Sequence, residues 1–515
     1  MSDAKTPWGE GGGWEPLLAD LAARETAAAA MGGPDRLEAR HDANRLDARQ
    51  RVRHLCDPGS FVEIGALVGS LERGATPPAP ADGLVAGHGL VDGRPVLVGA
   101  EDFTVMGGSI GIGTMAKRHR LAQLAAQERV PLVMLLEGAG ARAQNAYERH
   151  PHAPNDLQAL AALSGLVPTV AVVMGPSAGH GALTAPLLDF VVMVEGAAIF
   201  AAGPPLVAAA TGEQVTAEAL GGTAVHTVTS GVAHNAAPDD RAALDLVRRY
   251  LSYLPSNAWQ HPPVAPDPPG PGAARLDAML EVVPADPRRP YDVRRVIDVV
   301  CDSDSALEVS PGHGRVVVTA LARLGGDAVA VVANQPAVKA GAIDAEGADK
   351  AARFLEVADA FHLPVLFLAD NPGVLAGTAA ERSGILRHAA RMFAAQARVR
   401  SPKLHVTLRK AYGFGSSLMA MNPFDGQTVT VAFPGIRLGA MPADSGADAA
   451  NVDADLRALM AQAELGGAYG AADNLSYDQV VDPRDLRNVL LHAMRLSTTR
   501  RTEPPEPARH TGIRP

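Results

Sequence analysis

The feature that most constrains the fold is an internal repeat. The segment 53–64, RHLCDPGSFVEI, aligns with 298–309, DVVCDSDSALEV, so that a Cys-Asp pair and a glutamate recur 245 residues later. Further pairs recur at an offset of 233 or 234 residues: Lys117 and Lys350, Pro131 and Pro364, Glu137 and Asp370, Gly140 and Gly373, Pro168 and Pro402. A nearly constant offset across ordered motifs indicates an internal duplication, so we expect two copies of one fold.

Each copy alternates buried strands with helices. In the first copy, short apolar runs at 130–136 and 170–173 read as buried strands. Helical segments are predicted near 114–127 and 156–165. Strands that alternate with helices favour βαβ units with parallel strands. The sequence therefore predicts an α/β fold class.

A proline-rich segment, 255–272, divides the chain almost in half. Such a composition is typical of a semi-rigid linker. A chain of 515 residues is also too long for one hydrophobic core. We therefore place an N-terminal domain at residues 18–265 and a C-terminal domain at residues 275–505.

Composition excludes several classes of protein. The net charge of -10 gives no reason to expect a nucleic-acid partner. The two cysteines, Cys56 and Cys301, exclude a disulfide framework and a Cys-rich zinc module. No metal-type spacing of His, Asp and Glu is found, no signal peptide is visible, and no apolar run is long enough to span a membrane. We expect a cytoplasmic protein without a metal.

Two turns rich in small residues carry the main clue to chemistry. The first, MGPSAGHGAL at 174–183, follows the strand at 170–173. The second, RKAYGFGSS at 409–417, follows the apolar run at 404–408. A strand that ends in a glycine turn and leads into a helix presents consecutive backbone N–H groups with little side chain in the way. These groups can stabilise an oxyanion.

The first turn also contains G-x-S-x-G, the pattern of a hydrolase nucleophile elbow. Ser177 would be the nucleophile, and His180 follows three residues later. In that fold, however, the histidine comes late in the chain. The second copy has Tyr412 where the first has Ser177, so the two turns share a backbone rather than a hydroxyl. We therefore interpret the pattern as a coincidence.

Three other groups were weighed for a role. Lys117 and Lys350 are expected to be solvated. Arg142 could serve either a salt bridge within its loop or a bound phosphate. Glu137 could be the acid/base carboxylate of a hydratase or isomerase, although its place favours the end of a strand.

The ordered motifs resemble those of one known family, the carboxyltransferase β subunits of biotin-dependent acyl-CoA carboxylases of the propionyl-, acetyl- and methylcrotonyl-CoA types. The resemblance covers about residues 18–500 and is carried by LDARQRVRHLCDPGSFVEIG, EDFTVMGGSIG, EGAGAR, MGPSAGHG, DFVVMV, TSGVAH, YLSYLPSN, ANQP, KAARF and RKAYGFGSS. It implies two crotonase-like (ClpP/crotonase) domains. It also implies transfer of a carboxyl group from N-carboxybiotin to the α-carbon of an acyl-CoA.

The resemblance assigns roles to individual residues. It implies one oxyanion hole at Gly179 and His180 for the acyl thioester and another at Phe414 and Gly415 for biotin, with Phe414 and Ser417 beside the acyl group. The implied CoA-binding residues are Gly107, Gly108, Ser109, Gly138, Ala139, Gly140, Ala141 and Arg142. The implied biotin-binding residues are Asn334, Gln335, Pro336, Asn371, Pro372 and Gly373. The chain departs from the family at His180, where glycine is usual, and at Phe414, where a small residue is usual.

The resemblance also implies partners. Biotin would be carried by a separate α subunit with biotin carboxylase and biotin carboxyl carrier functions. The chain would form head-to-tail dimers, three of which make a hexamer. Two alternatives stay open: a biotin-dependent acyl-CoA decarboxylase subunit, and a non-catalytic or regulatory paralogue within a carboxylase assembly.

Overall fold

The computed structural model of the chain describes residues 13–69, 79–142, 155–266, 273–422 and 424–508. The chain divides into two compact units. The first comprises Met1–Val225 and Ala236–Arg248, and the second His226–Asn235 and Arg249–Pro515. The domain limits expected from the sequence stay a prediction, and most of the proline-rich segment's second half lies outside the described residues.

The first half of the chain builds one eight-stranded sheet from its described residues, in the order β1-β2-β3-β4-β5-β6-β8, with β7 paired to β5. Its strands are β1 (Val62–Glu63), β2 (Leu84–Val91), β3 (Arg94–Glu101), β4 (Leu132–Gly138), β5 (Thr169–Ala178), β6 (Phe190–Val194), β7 (Ala198–Phe200) and β8 (Asn235–Ala237). Its helices are α1 (Trp14–Ala29), α2 (Pro34–Asp42), α3 (Ala48–Leu55), α4 (Ile112–Glu128), α5 (Asp156–Ala161), α6 (Gly179–Leu187), α7 (Pro204–Thr211), α8 (Ala217–Gly221) and α9 (Asp240–Tyr253).

The second half builds another eight-stranded sheet from its described residues, in the order β16-β14-β13-β12-β11-β10-β9, with β15 paired to β13. Its strands are β9 (Leu307–Val309), β10 (Val317–Leu324), β11 (Asp327–Asn334), β12 (Val365–Asn371), β13 (Lys403–Tyr412), β14 (Gln427–Ala432), β15 (Arg437–Gly439) and β16 (Gln479–Val480). Its helices are α10 (Ala273–Val282), α11 (Arg294–Val300), α12 (Ala345–Ala360), α13 (Thr378–Arg382), α14 (Ile385–Arg398), α15 (Gly413–Leu418), α16 (Ala443–Ala450), α17 (Ala454–Leu465), α18 (Gly467–Asp473), α19 (Leu486–Leu496) and α20 (Thr498–Thr502).

The centre of each sheet is parallel, as predicted. Strands β3, β4, β5 and β6 pair in parallel in the first sheet, and β11, β12, β13 and β14 in the second. Every residue of β4 and of β12 is buried. Parallel strands covered on both faces need continuous apolar sequence, which these two strands have except at their polar carboxyl ends. The α/β fold class is confirmed.

The repeated Cys-Asp pairs have a structural explanation. Asp57 accepts hydrogen bonds from the N–H groups of Asp92 and Gly93, at 3.1 and 2.8 Å. In the second copy, Asp302 accepts from Gly325 and Gly326, at 2.9 and 2.8 Å. Both donor pairs are two-residue hairpin turns whose residues all have positive φ. Each aspartate therefore fixes a turn that a hairpin with right-handed twist requires.

The repeated glutamates form matching ion pairs. Arg49 binds both oxygens of Glu63, at 2.7 and 3.2 Å. Arg294 does the same to Glu308, at 2.6 and 2.7 Å. Each pair ties the helix before the first strand to that strand. Bidentate pairs of this kind combine charge with a fixed geometry, so they define where the helix docks.

The prediction that Lys117 and Lys350 are solvated is wrong. Both lie in the middle of a helix, and their side chains are buried in the protein. Lys117 is 5% exposed and Lys350 is 8% exposed. The Lys117 ammonium donates to the carbonyls of Ala81 and Leu84. The Lys350 ammonium donates to those of Ser310 and His313, at 3.1 and 2.8 Å. Burial lowers the pKa of Lys117 to about 8 and that of Lys350 to about 7.

We expect Lys350→Met to change how stability depends on pH. In the folded chain the pKa of Lys350 is about 7, whereas in the unfolded chain a lysine titrates near about 10.4. Between these values the unfolded chain binds more protons, so the free energy of unfolding falls as the pH falls. The variant loses this dependence. Relative to wild type it should gain up to about 1 kcal/mol per pH unit as the pH is lowered from about 10 to about 7.

Thermal or urea denaturation at about pH 7.5, 8.5 and 9.5 measures this difference. Lys339→Met is the matched control, because the Lys339 side chain is half exposed and pairs with Asp344 at the surface. Its stability curve should run parallel to that of wild type. A parallel curve for Lys350→Met would instead mean that Lys350 stays charged in the folded chain.

Candidate active site

The first turn joins β5 directly to α6. Ala178 is extended, and Gly179 follows with a φ of +56°, in the left-handed region where a side chain is strained. The helix starts there without a side-chain cap. The first N–H groups of a helix have no partner within the helix. Gly179 and His180 therefore offer uncapped donors at the positive end of α6, as an oxyanion hole requires.

The second turn joins β13 to α15 in the same way. Tyr412 is extended, Gly413 has a φ of +55°, and no side chain caps the helix. Gly413 and Phe414 are thus the geometric counterparts of Gly179 and His180. By this register the counterpart of Ser177 is Ala411, so the assignment of Tyr412 to that place is wrong by one residue. The conclusion drawn from it holds, because the second turn has no matching hydroxyl.

The two loops predicted to contact CoA are joined by backbone hydrogen bonds. Ala139 donates to Gly107, and Ile110 donates to Gly140, at 2.9 and 2.8 Å. A Cβ on Gly108 would lie 2.3 Å from the carbonyl oxygen of Glu137, which no side chain permits. The glycines here allow one loop to lie directly on the other. The structure therefore brings these residues together as one surface element.

Arg142 closes this element with its side chain. Its guanidinium donates to the Asp82 carboxylate at 2.7 Å and to the carbonyl and hydroxyl of Ser109, at 2.9 and 3.3 Å. The side chain is buried. Of the two roles weighed for Arg142, the structure shows the salt bridge. Any contact of this segment with CoA would use the backbone and the exposed residues Ala139 and Ala141.

Most of the residues predicted to flank biotin form hydrogen bonds within the second unit's own loops. Asn334 accepts from the N–H of Asp370 and from the Asn371 amide, at 3.1 and 3.0 Å. Asn371 in turn accepts from the N–H of Gly373 at 3.0 Å, and Gln335 donates to Asp292 at 2.6 Å. Five of the six predicted biotin-flanking residues are buried: Asn334, Gln335, Pro336, Asn371 and Gly373. The sixth, Pro372, is half-buried. Their side chains shape the loop beside the second turn.

Two rival chemistries lack support in the geometry. The Ser177 hydroxyl is fully buried, with no hydrogen-bond partner in the described part of the chain, so it has neither a base nor access for a substrate. Glu137 is buried between Arg40 and Arg51. Burial raises its pKa, but these two arginines outweigh burial and lower it. A carboxylate held ionised in this way is a poor general base for a hydratase.

The structure adds a cluster that the sequence did not reveal. His180 Nε2 lies 2.6 Å from Asp156 Oδ1, and Arg118 Nε lies 2.6 Å from Asp156 Oδ2. Arg118 also donates to Glu101, at 3.0 Å, and to Thr184. Apart from His180, all members are fully or almost fully buried. The members come from four separate segments, so no local pattern could have identified them.

The acyl-specificity candidates lie on α15. Phe414 is 51% exposed, and the Ser417 hydroxyl donates to Asn422 at 2.8 Å. No group of three or more His, Cys, Asp or Glu that could hold a metal occurs among the described residues. No helix in the described ranges is long and apolar enough to cross a membrane.

The carboxyl transferase domain family matches residues 39–511. The chain is similar to the propionyl-CoA carboxylase carboxyltransferase subunit of Haloferax mediterranei, with 35% identity over 96% of this chain and 98% of the relative. It is equally similar to the methylmalonyl-CoA decarboxylase subunit alpha of Veillonella parvula, with 35% identity over 94% and 96%.

A solved structure supports the same assignment. Transcarboxylase 12S, described as a hexamer assembly with methylmalonyl-coenzyme A bound, superposes with a TM-score of 0.88 and 33% identity over 98% of this chain and 100% of that one. The expected crotonase-like fold with two duplicated domains is thereby confirmed. The chain belongs to the carboxyl transferase domain family and is an enzyme of the acyl-CoA carboxyltransferase class.

Proposed function

We propose that this chain is the carboxyltransferase component of a biotin-dependent acyl-CoA carboxylase. It would move a carboxyl group from N-carboxybiotin, carried by a separate α subunit, to the α-carbon of an acyl-CoA. The observation that carries the proposal is the pair of matching turns, each with a left-handed glycine and an uncapped helix start. Two oxygens gain charge in this reaction, and the chain offers one set of donors for each.

The first turn suits the acyl thioester. Gly179 and His180 present backbone N–H groups, and the two joined loops at Gly107–Ser109 and Gly138–Arg142 lie on the same unit as a surface for the CoA arm. The half-buried state of Gly179 and His180 leaves the turn accessible. A thioester oxygen held there would receive the negative charge of the enolate.

The second turn fits the ureido oxygen of biotin. Its N–H groups at Phe414 and Gly415 lie at an uncapped helix start. The Cβ of any larger residue at Gly415 would lie 2.6 Å from the Asn371 amide oxygen, so the close packing of turn and loop needs this glycine. When bound, carboxybiotin supplies CO₂ and the base for the α-proton. Ser417 and Phe414 are the residues proposed to limit the acyl group.

The decarboxylase alternative is consistent with the 35% identity to the Veillonella parvula subunit, but the same identity to a carboxylase subunit means that this likeness does not favour it. The same turns would serve the reaction in the opposite direction. Carboxylation of an acyl-CoA panel with bicarbonate, ATP and the co-purified biotinylated partner distinguishes the two. A complex that only decarboxylates would support the alternative, and one that does neither would indicate a non-catalytic paralogue.

The purified chain should not carboxylate an acyl-CoA from bicarbonate and ATP. This sequence contains no Ala-Met-Lys-Met biotin-attachment motif, since Met419-Ala420-Met421-Asn422 lacks the lysine, and no ATP-grasp-like segment. Incorporation of ¹⁴C-bicarbonate into acyl-CoA measures the reaction. It should appear only when the biotinylated subunit is added. Incorporation by the chain free of any biotinylated protein would contradict the proposal.

Ser177→Ala should retain nearly full activity, because the turn acts through its backbone and the buried hydroxyl has no hydrogen-bond partner among the residues that the structure describes. Gly179→Val keeps the N–H but strains the left-handed residue that positions it, so activity should fall by about 10²–10³-fold, the effect of one misplaced oxyanion donor. Transfer from methylmalonyl-CoA to free biotin, the reverse reaction, measures both variants without a partner subunit. An inactive Ser177→Ala protein that folds normally would favour a hydrolase.

We further propose that the chain forms head-to-tail dimers, in which the N-terminal half of one chain works with the C-terminal half of the other. A variant damaged in the first turn, Gly179→Val, is then mixed by co-expression with one damaged at the matching position of the second, Gly413→Val. Each variant alone should be inactive. Random pairing makes about half of the dimers mixed, with one intact site of two, so about a quarter of wild-type activity should return.

A tagged pull-down confirms that mixed oligomers form. Mixed oligomers without any recovered activity would mean that each site is built within one chain. Co-expression of two first-turn variants, Gly179→Val and Ala178→Pro, is the control that should recover nothing.

A further inference from the structure

The charged cluster behind the first turn links the surface of the site to the interior of the first unit. His180, half-buried, contacts Asp156 of α5, and Asp156 contacts Arg118 of α4. Arg118 also contacts Glu101, whose other oxygen accepts a hydrogen bond from the N–H of Glu137 at 2.8 Å. Burying charged groups costs free energy unless they are paired. The presence of four linked ionisable groups behind the turn therefore calls for a structural or functional explanation.

The second copy has the same fold without these charged residues, so the fold itself does not require them. At the offset of 233 or 234 residues, Asn334, Ala351, Phe414 and Leu418 stand where the first copy has Glu101, Arg118, His180 and Thr184. Asn334 still accepts a hydrogen bond from the N–H of Asp370, as Glu101 does from Glu137. The acceptor is therefore part of the fold, whereas the charges belong to the first site alone.

The cluster determines how the imidazole is held. Burial opposes ionisation of Asp156, but its hydrogen bond from His180 and the charge of Arg118 outweigh burial and lower its pKa to about 2. Asp156 is thus an anion at neutral pH, and the shared proton lies on His180 Nε2. The other ring nitrogen, Nδ1, has no hydrogen-bond partner among the described residues. An aspartate that fixes one ring nitrogen leaves the other for function.

We propose that the His180 side chain is a further catalytic group of the acyl-CoA site, where its imidazolium, paired with Asp156, adds positive charge beside the N–H groups that receive the thioester oxygen. This inference rests on the proposed carboxyltransferase function. The imidazolium keeps its proton throughout, so no proton transfer is added to the reaction. A positive charge near a developing oxyanion stabilises the transition state more than the neutral thioester.

The charged groups near His180 are those of this cluster and the residue behind it. Asp156 of α5 contacts His180, Arg118 of α4 and Glu101 of β3 follow in the cluster, and Glu137 of β4 donates its N–H group to Glu101. Strands β5 and β7, which pack on α6, carry no ionisable side chain.

The test compares wild type with His180→Gln and His180→Gly in the reverse reaction, transfer from methylmalonyl-CoA to free biotin, between about pH 6.5 and 9. His180→Gly keeps the backbone N–H and removes the ring. Both variants should lower kcat about tenfold or more, the effect of about one lost charge interaction. His54→Gln, which breaks a His–Asp pair of 2.9 Å at the surface, is the matched control and should behave as wild type.

Calorimetric binding of propionyl-CoA supplies a readout that does not depend on turnover. Its Kd should be nearly unchanged in both His180 variants, because the charge acts on the transition state. An unchanged kcat, or an equal loss of binding and kcat, would overturn the inference. A wild-type protein that binds propionyl-CoA but transfers no carboxyl group would instead overturn the proposed function, and the inference with it.

Discussion

Each turn depends on one backbone constraint, a glycine with positive φ placed directly after a parallel strand, β5 in the first sheet and β13 in the second. At Gly179 and Gly413 the chain turns within one residue from an extended strand into a helix, with φ values of +56° and +55°. A residue with a Cβ would be strained there by about 1–2 kcal/mol. No capping side chain intervenes, so the donors of the helix start remain available. The strand fixes their position, because parallel strands buried on both faces cannot shift their register cheaply.

The surrounding loops also pack through close backbone contacts that only glycine allows. Gly108 and Gly341 approach the carbonyl oxygens of Glu137 and Asp370 so closely that a Cβ would lie at 2.3 and 2.4 Å. Each of these carboxylate residues is the penultimate residue of a strand and is paired with arginine, Glu137 with Arg51 and Asp370 with Arg409. The duplication therefore conserves contacts rather than side chains. Backbone approach and a buried ion pair recur in both copies, although the arginines come from different elements.

Much of this architecture could be predicted from the sequence, because duplication, apolar strands and glycine turns are local signals. The limits of that approach are equally physical. Lys117 and Lys350 were expected at the surface because lysine is rarely buried, yet each finds two carbonyl acceptors. The pairing of His180 with Asp156 was missed since the two lie 24 residues apart and meet only through folding. The one-residue error at Tyr412 arose because glycine-rich turns offer several equivalent alignments, which only φ values separate.

The difference between the two turns is consistent with what the proposed reaction asks of each oxygen. The thioester oxygen must hold the charge of an enolate, and an adjacent cation favours that charge. The ureido oxygen belongs to the group that takes the α-proton, and a full positive charge beside it would lower that group's basicity. A phenylalanine at position 414 leaves the second turn with backbone donors at the place where the first turn carries His180. The same backbone can therefore stabilise charge strongly in one copy and moderately in the other, according to a single side chain.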